Sequence, residues 1–219
     1  MPGDAESPAT PPRRSPSLRL VSGQPGSESM QDALLVQGAR EGQAWAEAAI
    51  WFRYAPLVHR VARGALGTAH EAEDAAQDCF VTLFSRLDSL AKADALRSFI
   101  YSIAVRTIRW HLRRRRIRRW ISLSEAVDSD LPLVTPPDHE ARDLLRRFYR
   151  ILDALGTDDR VVFVLRHVEE MKLEEVAAAM GLSLATVKRR LARSQQAVDS
   201  AIREAPDLAS SLAQLGRMS

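Results

Sequence analysis

Apolar residues recur at three- and four-residue spacing along most of this chain, and the faces they define predict helices throughout. Leu34, Leu35 and Gly38 share one face of a short first helix that opens at Met30 and ends near Gly42. A long second helix is expected over residues 44–66, with Trp45, Ala48, Ala49, Phe52, Pro56, Val58, His59 and Ala62 along it and Gly64 and Gly67 marking its end. Pro56 lacks the amide hydrogen that an interior helical position donates, so a kink is expected there. Thr68 and Glu71 stand at capping-box spacing and open a third helix that runs to about Leu87. Ala72, Ala75, Cys79, Phe80, Leu83 and Leu87 form its inner face, and Glu71, Asp74, Gln77, Asp78 and Thr82 its outer one. A fourth helix follows over about 95–119, with Leu96, Phe99, Ile100, Ile103, Ala104 and Thr107 as its apolar stripe and arginine in its last turns.

The periodicity lapses over 122–137, where Asp128, Asp130, Pro132, Pro136 and Pro137 read as a linker. It resumes over 138–204. Leu144, Phe148, Ile151, Leu152 and Leu155 make one stripe, closed by Gly156. Thr157 is placed to cap the next helix, with Val161, Val162, Val164, Leu165 and Val168 inward. Then come two short helices around a turn. Leu173, Val176, Ala177 and Met180 line the first. Gly181 supplies the positive φ that ends it, Ser183 caps the second, and Val187, Leu191, Ser194 and Val198 line that one. No strand pattern persists, so the fold class is all-α, in two small helical domains joined by a flexible linker. Residues 1–29 are rich in Pro, Ser and Gly and read as a disordered tail, since they bury too little to offset ordering entropy. Residues 205–219 read as a weakly patterned C-terminal tail.

Charge sharpens this picture. The formal net charge of the 219 residues is only +3, yet cations crowd between Arg106 and Arg119 and between Lys188 and Arg193. Local basic clusters on helices suit a polyanion partner better than a bulk charge does. In the last helix pair, Thr186, Lys188, Arg189, Arg190 and Arg193 lie mostly away from the apolar stripe. A helix fits the major groove, its N-terminal half reaches base edges, and arginine can pair bidentately with guanine. These five residues are therefore the candidate duplex contacts. The alternative for the same residues is a helical hairpin with a solvated basic face.

The single cysteine, Cys79, excludes an intramolecular disulfide and reads as a buried structural thiol. His59, His70, His111, His139 and His167 have spacings that suit no metal site, and no nucleophile–base pair or phosphate-cradling glycine loop is present. No catalytic residue, metal or cofactor is expected. Glu169, Glu170, Glu174 and Glu175 read as a solvated acidic rim. No apolar run is long enough to span a bilayer and the N-terminus lacks a signal-peptide core, which points to the cytoplasm without membrane insertion.

Three runs resemble bacterial sigma factors. Residues 71–80, Glu-Ala-Glu-Asp-Ala-Ala-Gln-Asp-Cys-Phe, resemble the helix that binds core RNA polymerase. Residues 96–104, Leu-Arg-Ser-Phe-Ile-Tyr-Ser-Ile-Ala, with the arginine tract after them, resemble the promoter-melting and −10-reading helix. Residues 173–191 resemble the −35-reading helix-turn-helix. Their order and the absence of a middle domain resemble the extracytoplasmic-function (ECF) group of the sigma-70 family. The resemblance implies a sigma region 2-like four-helix domain over 30–121 and a region 4-like helix-turn-helix domain over 138–204. It implies a protein that is not an enzyme, and that binds the polymerase core through the β′ clamp and the β flap. It would dock the −35 element as duplex and hold the −10 element as a single strand. An anti-sigma factor is a further partner that the group often has.

On this reading Asp74, Gln77 and Asp78 form the polymerase-binding strip, complementary to a basic coiled coil. Tyr101, Arg106, Arg109, Trp110, Arg113 and Arg114 are the candidate −10 contacts. A separated strand needs flat faces for its unpaired bases and cations along its backbone, and His111 and Arg115 to Arg116 extend the same pattern. Arg106 stands where members of the group usually carry asparagine, and Trp110 where many carry an acid. Both suit strand binding while altering base preference. A free-standing helix-turn-helix regulator is the alternative reading. It would be expected to dimerise on a palindrome, and the chain shows no evident dimerisation helix or ligand domain.

Overall fold

The computed structural model describes residues 25–121 and 139–205, with side chains over 30–118 and 142–205, and every regular element among them is helical. The N-terminal half holds α1 (Pro25–Arg40), α2 (Ala44–Leu66), α3 (Ala69–Arg86) and α4 (Leu96–Ile121), with two short 3₁₀ turns, Leu87–Ser89 and Ala93–Ala95, before α4. The C-terminal half holds α5 (His139–Ala154), α6 (Thr157–His167), α7 (Leu173–Met180) and α8 (Leu184–Arg203). The expected linker over 122–137, the tail before residue 25 and the segment after 205 lie outside the described residues.

The helix boundaries follow from local chemistry. Gly67 ends α2 in the left-handed region at φ 88°, and its amide donates to the Arg63 carbonyl. Thr68 caps α3, its hydroxyl accepting from the Glu71 amide at 3.3 Å. Gly181 ends α7 at φ 63°, and the Ser183 hydroxyl accepts from the Thr186 amide at 3.2 Å to open α8. Pro56 is accommodated inside α2.

Three expectations are corrected. α1 begins at Pro25, so residues 25–29 belong to a helix and not to the tail. Its buried side is Asp32, Val36, Gly38 and Ala39, with Leu35 half-buried, while Leu34 faces solvent. The reason is Asp32, whose carboxylate accepts from the Tyr54 hydroxyl at 2.6 Å and pairs with Arg53 at 3.2 Å, so a polar residue holds the inner face. Trp45 and Phe52 lie on the outer side of α2, and Ile50, Tyr54, Val58 and Val61 carry the packing. Gly156, not Thr157, is the N-cap of α6 and makes no side-chain cap.

The two halves are lobes of one body, sharing a continuous apolar core. α6 is the reason. It packs on α7 and α8 of its own lobe and on α2 and α4 of the other. Asp159 to Leu165 are consequently buried without interruption, whereas an ordinary surface helix buries only one stripe.

Candidate nucleic-acid interface

The −35 candidates gather as expected on the first turns of α8. Lys188 and Arg189 are exposed, and Thr186 stands beside them with its hydroxyl against Ser183 at 2.9 Å. Arg190 and Arg193 are engaged instead. Arg190 reaches Asp159 at 2.8 Å and Asp158 at 3.1 Å, and Arg193 reaches Asp159 at 3.1 Å. Both carboxylates sit in the first turn of α6, where the helix dipole favours negative charge.

The −10 candidates divide along α4. Arg106, Trp110, Arg113 and Arg114 face solvent. The Arg114 guanidinium lies 5.2 Å from the centre of the Trp110 ring, and His111 packs edge-on to the same ring at 4.9 Å. Trp110 is half exposed, at 50 %, and offers a flat face to solvent. Tyr101 is not available as a second one: it is 6 % exposed, packed in the core with Arg97 over its ring. The alternation of aromatic and basic residues hid this, because Tyr101 falls on the apolar side of α4 beside Ile100 and Ala104. Arg109 is also withdrawn, its Nε lying 2.8 Å from Asp158 Oδ1.

On α3, Asp74, Gln77 and Asp78 share one exposed strip, as expected. Asp78 is also 2.8 Å from His111 Nε2, which ties this strip of α3 to the arginine helix. Glu71, expected outward, is drawn in by Arg115. That guanidinium donates to the Leu66 carbonyl at 2.7 Å, to Glu71 at 3.0 Å and to Asp153 of α5 at 2.7 Å. Glu169 leaves the expected acidic rim as well, buried against Arg60 of α2 at 3.3 Å. Glu175 accepts from the Lys172 amide at 2.8 Å, capping α7. The acids Asp153, Asp158 and Asp159 escaped sequence reasoning. Their one signal was position, since Asp158 and Asp159 follow a glycine at the start of a helix.

Before α4 a shallow surface cleft of about 400 Å³ is lined by Ser89, Leu90, Lys92, Ala95, Ser98 and Phe99. Among the described residues no group of His, Cys, Asp or Glu could hold a metal, and no helix is long and apolar enough to cross a membrane.

A basic, tryptophan-bearing helix on one lobe and a glycine-turned helix pair with a basic second helix on the other define a two-lobed, DNA-reading helical protein. Residues 51–118 match the family "Sigma-70 region 2" and residues 145–198 match "Sigma-70, region 4". The chain is 26 % identical to the "ECF RNA polymerase sigma-E factor" of Escherichia coli over 189 residues, 80 % of this chain and 96 % of the relative. It is 25 % identical to the "RNA polymerase sigma-H factor" of Pseudomonas aeruginosa over 181 residues, 78 % and 94 % of the two chains. The fold is similar to that of CnrH, solved with the cytosolic domain of CnrY, at a TM-score of 0.59 and 23 % identity over 80 % of this chain and 99 % of that one. It is similar also to the sigma factor RpoE of Bartonella quintana, solved with the anti-sigma factor NepR, at 0.54 and 18 % over 71 % and 96 %. The chain belongs to the sigma-70 family, in its ECF group.

Proposed function

We infer that this chain acts as a sigma factor: it joins the RNA polymerase core and directs initiation at specific promoters. The observation that carries this reading is the pair of matched segments in order, region 2 over the lobe with the arginine–tryptophan helix and region 4 over the lobe with the basic helix-turn-helix. The α7–α8 pair would dock on the −35 element as duplex, with Thr186, Lys188 and Arg189 entering the groove and Arg190 and Arg193 joining once freed from their carboxylates. The exposed row Arg106, Trp110, Arg113 and Arg114 would hold the −10 element as an unpaired strand, stacking a base on Trp110 and neutralising phosphates. Asp74, Gln77 and Asp78 would meet the β′ clamp, and the C-terminal lobe the β flap. The chain would work in the cytoplasm, by binding and without catalysis, and an anti-sigma factor is a fitting regulator. A free-standing regulator is not favoured, because it has no use for a region 2 lobe.

Reconstituted transcription tests the reading. Core polymerase with this protein on genomic DNA is expected to yield start sites that core alone does not. Loading onto core without any new start site would overturn it.

A further inference from the structure

α4, α5 and α6 meet around a cavity of about 60 Å³ whose lining includes Arg115, Arg116, Asp153, Thr157 and Arg160. Three guanidiniums and one carboxylate stand in that lining. The carboxylate is already shared: Arg115 reaches Asp153 at 2.7 Å, and Arg160 pairs with it through Nη1. Glu71 adds a second acid on Arg115 at 3.0 Å from outside the lining, so cations still outnumber acids. Arg160 is the buried member, 2 % exposed. Its Nε and Nη2 are buried as well, and no protein acceptor answers either. These two N–H groups share one edge of the guanidinium, an edge that can grip a single oxyanion with two parallel hydrogen bonds. Buried polar groups ordinarily have a partner, so this edge calls for an acceptor that the protein does not supply. Burial, and Arg115 after it, lower the Arg160 pKa to about 10 despite Asp153. A further anion beside it would offset that pull. Thr157 opens α6, and the N-cap Gly156 has no side-chain oxygen for the first amides. The acids of that turn are turned elsewhere, Asp158 to Arg109 and Arg190, Asp159 to Arg190 and Arg193. A helix N-terminus beside a buried cation suits an anion.

We propose that this cavity is a binding site for one phosphate-sized oxyanion, held by the Nε–Nη2 edge of Arg160, by the exposed Arg116 and by the Thr157 end of α6. Size and charge set the ligand class. The volume is several times what one water needs and far below the several hundred Å³ of a nucleotide or cofactor pocket. A tetrahedral dianion brings enough acceptors for the guanidinium edge, Arg116 and Thr157 together, whereas chloride cannot take a bidentate pair. A water would answer the same N–H groups but leave the excess charge. The proposal does not draw on promoter reading, so it stands or falls whether or not new start sites appear with core polymerase.

Inorganic phosphate is the probe, titrated into the full chain at low millimolar concentration with sodium chloride holding the ionic strength constant. Melting temperature is the readout. It is expected to rise and saturate, by about 3 °C or more once phosphate exceeds its dissociation constant tenfold. Phosphate also stabilises proteins by exclusion from their surface, but that effect does not saturate and acts on all variants alike. Arg116→Ala should raise the half-saturating phosphate concentration by about threefold or more. Arg118→Ala, in the same arginine tract but outside the lining, should titrate like the parent. Arg160→Lys keeps the charge and loses the paired edge, and should abolish the saturable rise. No saturable rise beyond the chloride control, an Arg116→Ala protein that titrates like the parent, or an equal loss in Arg118→Ala each overturns the proposal. So does a folded Arg160→Lys protein with the parent's response. If Arg160→Lys proves unfolded by circular dichroism, the contrast between Arg116→Ala and Arg118→Ala decides alone.

Discussion

Among the candidate contacts, exposure and pairing separate residues that look alike in sequence. Lys188 and Arg189 are exposed on α8, with Arg189 beside the Thr186 hydroxyl at 3.4 Å, whereas Arg190 is tied to two carboxylates. Lys188→Ala and Arg189→Ala should leave thermal stability unchanged and weaken holoenzyme binding to promoter duplex by roughly 1–3 kcal/mol where the side chain reads a base. Arg190→Ala should lower stability as well, by about 1–3 kcal/mol, because Asp158 and Asp159 lose the cation they share and keep Arg109 and Arg193 beside them. Parallel promoter titrations and melting curves check this split, and equal stability in all three variants would contradict it. Tyr101 and Trp110 divide the same way on α4. Tyr101→Ala empties a core position and should cost about 3–5 kcal/mol in urea unfolding. Trp110→Ala should change stability by less than about 0.5 kcal/mol while weakening single-strand binding by about 1–3 kcal/mol.

At the scale of helices, much was legible in the sequence. The span of α2, the Thr68 and Ser183 caps, the Gly181 turn and the inner faces of α3 and α8 are set by residues within a turn of one another, and periodicity reads such relations directly. What escaped was set at long range. Asp32 is buried because Tyr54 answers it from another helix, Glu71 turns inward toward Arg115, and Tyr101 fills a core whose walls come from other elements. The Gly181 turn makes a clean test of the local kind. A Cβ there meets nothing within 4 Å, so Gly181→Ala should cost only the left-handed backbone penalty of about 1–2 kcal/mol, read by urea unfolding. α3 carries a pH signature. Burial pushes the Cys79 thiol up from 9.0 to about 12, so between those values the unfolded chain loses a proton that the folded chain keeps. Stability should therefore fall as pH rises from about 9, with a slope of up to about 1.4 kcal/mol per pH unit from this group. Burial raises the Tyr54 and Tyr149 hydroxyls in the same direction. Cys79→Ala should flatten the upper part of a series of melts taken between pH 8 and 11, whatever it costs in packing.

At the scale of the molecule, the seam between the lobes can be weighed at one glycine. Gly67 has the same left-handed requirement as Gly181, at φ 88°, but its surroundings differ. A Cβ there would meet the Tyr149 ring of α5 at 2.7 Å, at ring carbons close to the stem that cannot swing away as a flexible tip would. Gly67→Ala should thus pay twice: about 1–2 kcal/mol for the backbone and a further 1–3 kcal/mol or so for overpacking. The second part exists only while α5 rests on the end of α2. In a Tyr149→Ala background the ring is gone, and Gly67→Ala should then cost no more than Gly181→Ala does. Urea unfolding of the two single variants and the double variant isolates the difference as a coupling energy. A double variant less destabilised than the sum of the singles by about 1 kcal/mol or more places the lobes in contact in the free protein, which is the arrangement that buries every face of α6 and puts Asp158 on Arg109. Additive costs would mean that Tyr149 does not rest on Gly67 in solution, and that the arginine row on α4 stands open before polymerase or promoter arrives.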